Sequence, residues 1–248
     1  MRILDGLFSF DLSFAIAAAA TLLAGISRGM LGFGAALIII PALVALYGPV
    51  EAVVIMSLVE IPATAALVPT TLRFANWRWI APVGIGSLVT IPLGAWLLVY
   101  LDPEITRRVV AGLVIALGLL LASGWQYRRP AGGALRFCVG GASGFIGGLA
   151  NVGGPIVVVF LLASQAAISS VRAGMMAFFS FSTVLRLVIY GALGLYSASL
   201  LALSLALSPI YLVGIWLGAK AFNRVSETLF RRIAITAVLV AGVVAAVK

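Results

Sequence analysis

Long apolar runs take up nearly all of this 248-residue chain. Charges or Gly/Pro clusters separate ten of them, at 12–27, 33–47, 50–72, 79–101, 105–125, 134–150, 154–168, 170–194, 198–219 and 229–247. Hydrophobic residues make up 63% of the sequence and charged residues 9%, whereas soluble domains carry about 25% charged residues. A soluble fold of this size could not bury so much apolar surface. The lipid bilayer is therefore the predicted solvent.

The apolar segments are predicted to be α-helices. In lipid the backbone must satisfy its own hydrogen bonds, which a helix does and an open strand does not. The strands of a β-barrel would alternate apolar and polar residues, but a run such as 111–122 is apolar on every side. The predicted fold class is an all-α polytopic membrane protein.

Two pairs of segments are too short to span singly. The first pair is 12–27 with 33–47, and the second is 134–150 with 154–168. A helix of about 15 residues reaches about 22 Å, whereas the hydrocarbon core is about 30 Å thick. Each pair is predicted to form either two short tilted spans or a re-entrant hairpin, and its glycine-rich break is expected near the bilayer midplane.

An internal repeat relates the two halves of the chain. The sequence 94–97 matches 214–217 at three of four positions with a shift of 120 residues. A shift of 119 residues superimposes Gly25, Gly29 and Gly34 on Gly144, Gly148 and Gly153. We therefore predict one membrane domain built from two repeats, 1–128 and 129–248. Five segments per half is an odd number, so the second repeat must be inverted, as is usual in secondary transporters.

The distribution of Lys and Arg predicts the orientation. Ten of these residues lie in loops on one side, and the other side has Arg2, Arg107, Arg108 and Lys248. The richer side should be cytoplasmic. We expect a multi-pass protein of the cell (inner) membrane with both termini periplasmic or extracellular. The net charge of +9 belongs to this pattern, so no nucleic-acid partner is expected. The oligomeric state is open, a homodimer included.

Composition excludes most catalytic and cofactor chemistry. The sequence has no histidine and a single cysteine, Cys138. It therefore has no His-based triad, Cys cluster, internal disulfide or CxxC pair, and it has no GxxxxGK[ST] motif for ATP. We expect no enzyme activity, no cofactor and no metal. A metal-ion transporter is disfavoured as well, because thiols and intramembrane carboxylates are few.

The two glycine-rich breaks are the strongest candidates for a ligand site. Each should place a helix N-terminus inside the membrane, with unpaired N–H groups and about half a positive charge. Glycines let an anion reach those amides. Pro155 suits the first turn of a helix, and Asn151 can cap its start. The predicted substrate-binding residues of the breaks are Gly32, Phe33, Gly34, Asn151, Val152, Gly153 and Gly154.

Glycine has a second interpretation, which is that it lets helices pack closely. That interpretation suits Gly112, Gly118, Gly140 and Gly144. It remains open for the two breaks as well.

Polar residues inside the apolar runs extend the candidate site. Arg28 is either an interfacial anchor whose side chain reaches the membrane surface or a cation near the anion. Arg186 lies deep in its segment and needs a partner or a substrate. Glu60 is either the structural partner of Arg186 or the ion-coupling group that takes up a proton. Further hydrogen bonds to the ligand could come from Ser164, Gln165, Ser180, Ser182 and Thr183, although hydroxyls in membrane helices more often bond their own backbone.

Two stretches resemble the signatures of a known family. The sequence 25–34 followed by Pro41 resembles the first signature of the TauE/SafE family of sulfite and organosulfonate exporters, and 144–155 resembles the second. The resemblance implies export or exchange of small anions such as sulfite, sulfoacetate or related carboxylates and sulfonates. The chain departs from the commonest family pattern at Ala35 and Ala36, where a further glycine is usual, and at Asn151.

Together these features predict a secondary transporter that exports a small anion such as sulfite, a sulfonate or an organic acid. The anion would be held at the helix N-termini of the breaks, and the two halves would rock in alternating access. Arg28, Gln165 and Arg186 would join the binding site, and Glu60 would couple transport to an ion. A passive anion channel of the same architecture is the alternative.

Overall fold

A computed structural model of the chain describes residues 12–65, 77–123, 132–162 and 168–221. Helices account for nearly all of these residues, and none of them lies in a strand. In chain order the helices are α1 (Leu12–Leu31), α2 (Ala35–Tyr47), α3 (Pro49–Val59), α4 (Trp77–Tyr100), α5 (Pro103–Ala122), α6 (Gly133–Ala150), α7 (Gly154–Leu162), α8 (Ile168–Ala192) and α9 (Ala198–Ala221). The all-α prediction is confirmed for this part of the chain.

Five of these helices are long and apolar enough to cross a membrane. They are α1, α4, α6, the part of α8 from 174 to 192, and α9. Large apolar side chains project outward from them, with Leu205 75% exposed and Val188 64% exposed. Apolar surface on the outside of a helical bundle suits lipid as its surroundings. The fold therefore agrees with a polytopic membrane protein.

The helix bounds correct the prediction that both members of each pair are too short. The segment predicted at 12–27 continues to Leu31, so α1 has 20 residues, and α6 has 18. A 20-residue helix is about 30 Å long, which is enough to cross the core. The second member of the first pair is short, with 13 residues in α2, and the described part of α7 has nine residues.

The segment predicted at 50–72 is not one continuous helix. Helix α3 ends at Val59, Glu60 lies in a turn, and residues 61–65 form a further helical turn. Pro62 explains the interruption, because it lacks the N–H that would bond the carbonyl of Leu58. The remainder of this segment lies outside the described residues, as does the segment 229–247.

Two parallel helix pairs form the frame of the fold, and glycines allow their close approach. Gly25 and Gly29 of α1 lie against the backbone of α9 between Tyr211 and Ala219. In the other pair, α6 lies against α4 through Gly140, Gly144 and Gly148. A Cβ atom added at any of these five glycines would overlap a neighbouring helix. Close packing is therefore confirmed for Gly140 and Gly144.

Hydroxyl groups add hydrogen bonds to the contact between α4 and α6. Ser87 Oγ donates to the Gly140 carbonyl at 3.0 Å, and Thr90 Oγ1 donates to the Gly141 carbonyl at 2.7 Å. In contrast, a Cβ added at Gly112 of α5 would have no atom of the described residues within 4 Å. Among the described helices, none packs closely on Gly112.

The two breaks share one backbone geometry. Gly32 caps the end of α1 with φ 79°, and the Gly32 N–H donates to the Arg28 carbonyl. Asn151 caps the end of α6 with φ 56°, and the Asn151 N–H donates to the Gly147 carbonyl. Such left-handed caps favour glycine and tolerate asparagine. Asn151 thus ends α6 instead of capping the start of α7, which corrects the predicted role. Its Nδ2 donates to Ser57 Oγ at 3.2 Å.

Replacing Gly148 by alanine tests the packing of the frame. We expect Gly148→Ala to destabilise the protein by about 1–3 kcal/mol, because the methyl group would overlap the Ile91 carbonyl oxygen of α4. Gly112→Ala is the matched control and should be neutral or stabilising, since alanine favours helices by about 1 kcal/mol over glycine. Thermal unfolding of the detergent-purified variants measures both effects. Equal melting temperatures for the two variants would contradict the close contact between α4 and α6.

Candidate anion-binding site

Both helix breaks border one small cavity of about 40 Å³. The first residues of α2 and of α7 line it, so two helix N-termini face the same space. Ile91 also lines it and lies near the middle of α4. Since one water molecule needs about 10–15 Å³ of such space, the cavity has room for about three waters or for a small anion.

Most of the predicted binding residues meet at this cavity. Its lining includes Arg28, Gly34, Glu60, Asn151, Val152, Gly153, Gly154 and Arg186. Gly32 and Phe33 are not part of the lining. Gly32 caps α1, and Phe33 packs against the apolar cluster around Val157. Gln165 lies outside the described residues, so its predicted role has no structural counterpart here.

A buried carboxylate lies between two arginines beside the cavity. Glu60 Oε1 is 3.7 Å from Arg28 Nη1, and Glu60 Oε2 is 3.5 Å from Arg186 Nη2. Thr183 connects the cluster, because its Oγ1 donates to Glu60 Oε2 at 3.0 Å and accepts from Arg186 Nη2 at 3.1 Å. The three charged residues are only 5–8% exposed. They come from α1, from the turn after α3 and from α8.

The cluster shows the predicted contact between Glu60 and Arg186, and Arg28 joins the same carboxylate. This contact is compatible with a structural pair and with a coupling role for Glu60. Arg28 is not an interfacial anchor, since it is buried and its guanidinium lies 4.7 Å from the centre of the Phe179 ring. Charge-assisted hydrogen bonds are about 2.7–2.9 Å long. The ion pairs of Glu60 are longer, so this carboxylate does not saturate the two guanidinium groups.

Two buried donors at the cavity have no hydrogen-bond partner among the described residues. They are Ser182 Oγ and Arg186 Nε, and both residues line the cavity. Ser182 is 2% exposed. An unsatisfied buried polar group costs about 1–3 kcal/mol, so such groups normally have a partner. An anion in the cavity is a chemically suitable acceptor for both.

Ser182 was only one of several hydroxyl candidates in the sequence. Its spacing is the signal that sets it apart, because residues four positions apart share one face of a helix. Ser182 therefore lies on the same face of α8 as Arg186. Its neighbour Thr183 instead bonds Glu60.

Backbone amides at the two helix starts complete the set of donors. At the start of α2, the first backbone N–H with a hydrogen bond is that of Leu37, which donates to the Gly34 carbonyl at 3.2 Å. At the start of α7 it is that of Ile156, which donates to the Gly153 carbonyl at 3.3 Å. The amides before them are the ones that a helix start leaves unpaired, except that Pro155 has no N–H to donate. No group of three or more potential metal ligands occurs in the described ranges.

Removing the central carboxylate should destabilise the fold. We expect Glu60→Ala to cost about 3–5 kcal/mol, because two buried arginines would lose their shared counter-charge. Glu104→Ala is the control. Its ion pair with Arg108 is exposed to the surroundings, and exposed pairs contribute about 0–1 kcal/mol to the free energy of unfolding. The melting temperatures of both variants in detergent give the comparison. A loss for Glu60→Ala no larger than that of the control would contradict the paired cluster.

Comparison with known proteins agrees with this geometry. The family model described as "Sulfite exporter TauE/SafE" matches residues 17–245. A Cupriavidus necator protein described as "Probable sulfite/organosulfonate exporter TauE" is 25% identical over 213 residues, which cover 82% of each chain. No solved structure gives a significant match. The family and the five candidate spans identify a multi-pass membrane transporter and not an enzyme. The match covers nearly the whole sequence, and the chain therefore belongs to the TauE/SafE family of sulfite exporters.

Proposed function

We propose that the protein exports a small anion, such as sulfite, a sulfonate or an organic acid, by alternating access around the cavity. The observation that carries this proposal is the meeting of two helix N-termini with two buried arginines at one small space. The family relationship supports it, and the description of the Cupriavidus necator relative names sulfite and organosulfonates. We further propose the cell (inner) membrane as the location.

In this proposal the anion replaces water at the unpaired donors. Its oxygens accept from amides at the starts of α2 and α7, from Ser182 Oγ and from the guanidinium groups. Gly153 lets the start of α7 lie against the backbone of α6, because an added Cβ would overlap the Ser143 carbonyl. Arg28 and Arg186 supply positive charge in surroundings where charge interactions are stronger than in water.

Two inverted repeats, 1–128 and 129–248, provide the rocking halves. The shift of 119 residues that relates the glycines also superimposes Gly32 on Asn151, and both are left-handed caps. Each close helix pair joins one helix of the first repeat to one of the second, with α1 against α9 and α4 against α6. A two-fold axis in the membrane plane would relate these two pairs, which supports the inverted arrangement.

The proposed orientation places the start of α4 at the cytoplasmic side. Arg136 Nη1 donates to the Arg78 carbonyl at 3.3 Å, and the Arg136 guanidinium lies 5.5 Å from the centre of the Trp79 ring. The starts of α4 and α6 therefore lie at the same end of the bundle. This agrees with placing both arginines on the side rich in Lys and Arg. Both chain termini would then be periplasmic or extracellular.

Glu60 is the proposed coupling group. The groups that face it are Arg28 from α1, Thr183 and Arg186 from α8, and Tyr211 from α9. Because guanidinium groups stay protonated in proteins, a proton on Glu60 would raise the formal charge of the cluster from +1 to +2. Proton binding and anion binding would then favour each other, as linkage requires.

Anion binding can be measured as thermal stabilisation, because a ligand of the folded state raises the melting temperature. The panel is sulfite, sulfate, thiosulfate, sulfoacetate, taurine, lactate and chloride. We expect Ser182→Ala to weaken binding of the selected anion by about tenfold or more, since a hydrogen bond to a charged group contributes about 1.5–3 kcal/mol. Ser208→Ala is the control, because Ser208 Oγ donates to the Ser204 carbonyl in its own helix. A panel without any selective shift would contradict the proposed site.

Counterflow in proteoliposomes separates a carrier from a channel. We expect the wild-type protein to accumulate labelled anion against a preloaded unlabelled pool, which a passive channel does not do. Glu60→Gln should retain this exchange and lose its response to an imposed pH gradient, whereas Glu104→Gln should retain both. Conductance without counterflow would favour the channel. An unchanged pH response in Glu60→Gln would remove Glu60 from coupling.

A further inference from the structure

The described side chains around the cavity carry more positive than negative charge. Among the described residues that line it, three are charged: Arg28, Glu60 and Arg186. Two positive charges and one negative charge give a formal sum of +1. All three side chains are buried and in contact, so they act as one centre. One further negative charge would make these three side chains electrically neutral.

The helix ends change this balance little. Each helix terminus carries about half a charge, positive at the start and negative at the end. At the first break α1 ends at Leu31 and α2 begins at Ala35, and at the second α6 ends at Ala150 and α7 begins at Gly154. Opposite half-charges therefore lie close together at each break. The side chains set the net charge that a ligand meets.

The size of the cavity makes this charge decisive. With a volume of about 40 Å³ the cavity can hold a small ligand but not a ligand together with a hydrated counter-ion. Buried charge without compensation is far more costly than the same charge in water. A neutral ligand would leave one positive charge, and a dianion would leave one negative charge. Only a monoanion brings the sum to zero.

A second observation shows that the cavity is built for a ligand. Ser182 Oγ and Arg186 Nε are buried, line the cavity and have no partner among the described residues. Both can donate to any oxygen acceptor, whatever the total charge of the ligand. These donors therefore favour a ligand with oxygen acceptors, and the charged cluster determines which net charge of the ligand is favoured.

We infer that the site is matched to an oxyanion with a single negative charge, and that Glu60 acts as a built-in counter-charge that excludes dianions. The class comprises sulfonates, carboxylates and singly protonated oxyanions. A dianion is accommodated only when Glu60 carries a proton. This inference deepens the proposed anion site and rests on it.

A series of probes with one shape and three charges tests the inference in the wild-type protein. Dimethyl sulfone, methanesulfonate and sulfate have the same number of heavy atoms around a tetrahedral sulfur, and they carry no, one and two negative charges. Affinities are measured at neutral pH on the purified full chain, in a buffer without other small anions. We expect methanesulfonate to bind at least about tenfold more tightly than either of the others, because only it neutralises the cluster. Equal or tighter binding of sulfate or dimethyl sulfone would overturn the inference.

Substitutions of Glu60 and Arg28 should shift the preferred charge of the ligand in opposite directions. Glu60→Gln raises the formal charge to +2 and should shift the preference to sulfate. Glu104→Gln removes a carboxylate from an exposed pair and should leave the order unchanged. Arg28→Gln lowers the sum to zero and should remove the advantage of methanesulfonate over dimethyl sulfone. An unaltered order in Glu60→Gln and Arg28→Gln would overturn the inference.

The outcomes also separate this inference from the proposed function. If none of the three probes binds the wild-type protein and no anion of the wider panel shifts its melting temperature, the anion site itself is refuted. If anions bind but their order does not follow charge, the site stands and only the monoanion match is refuted. If a variant does not fold, the probe series in the wild-type protein still decides.

Discussion

The burial of one carboxylate between two arginines is the interaction on which the rest of this structure depends. Glu60, Arg28 and Arg186 lie far apart in sequence, and each would be costly inside an apolar bundle on its own. Together they bind α1, α3 and α8 into one unit. The formal charges of these three side chains sum to +1. In the proposed function, stability and anion recognition therefore have a common physical origin.

The glycine contacts explain why the cluster faces a cavity. Close packing of α1 on α9 and of α6 on α4 fixes where α1 and α6 end. Left-handed caps at Gly32 and Asn151 then turn the chain, so that α2 and α7 start beside the arginines. A bulkier residue in the frame would displace these starts. The scaffold and the site are therefore parts of one arrangement.

The departures from the commonest family pattern fall on the cavity itself. Ala35 and Ala36 line it at the start of α2, where a methyl group narrows the space that glycine would leave. Asn151 holds a left-handed turn and bonds Ser57 Oγ of α3. These residues lie among the groups nearest to the proposed anion. Relatives that differ at these positions would present a cavity of different size to their substrates.

The sequence by itself determined the membrane setting, the helical class and the positions of the two breaks, because lipid requires internally bonded backbone and glycine clusters interrupt apolar runs. It also placed Glu60 and Arg186 among the candidates, since intramembrane charges need partners. Only the tertiary structure decided that Arg28 joins them, that Asn151 caps the end of α6 and that Ser182 lines the cavity with a hydroxyl that has no partner among the described residues. It likewise separated Gly140, which packs against α4, from Gly112, which has no close neighbour among the described residues. Most of these outcomes depend on which helix faces meet, and spacing along one chain does not specify contacts between residues that lie far apart in the sequence.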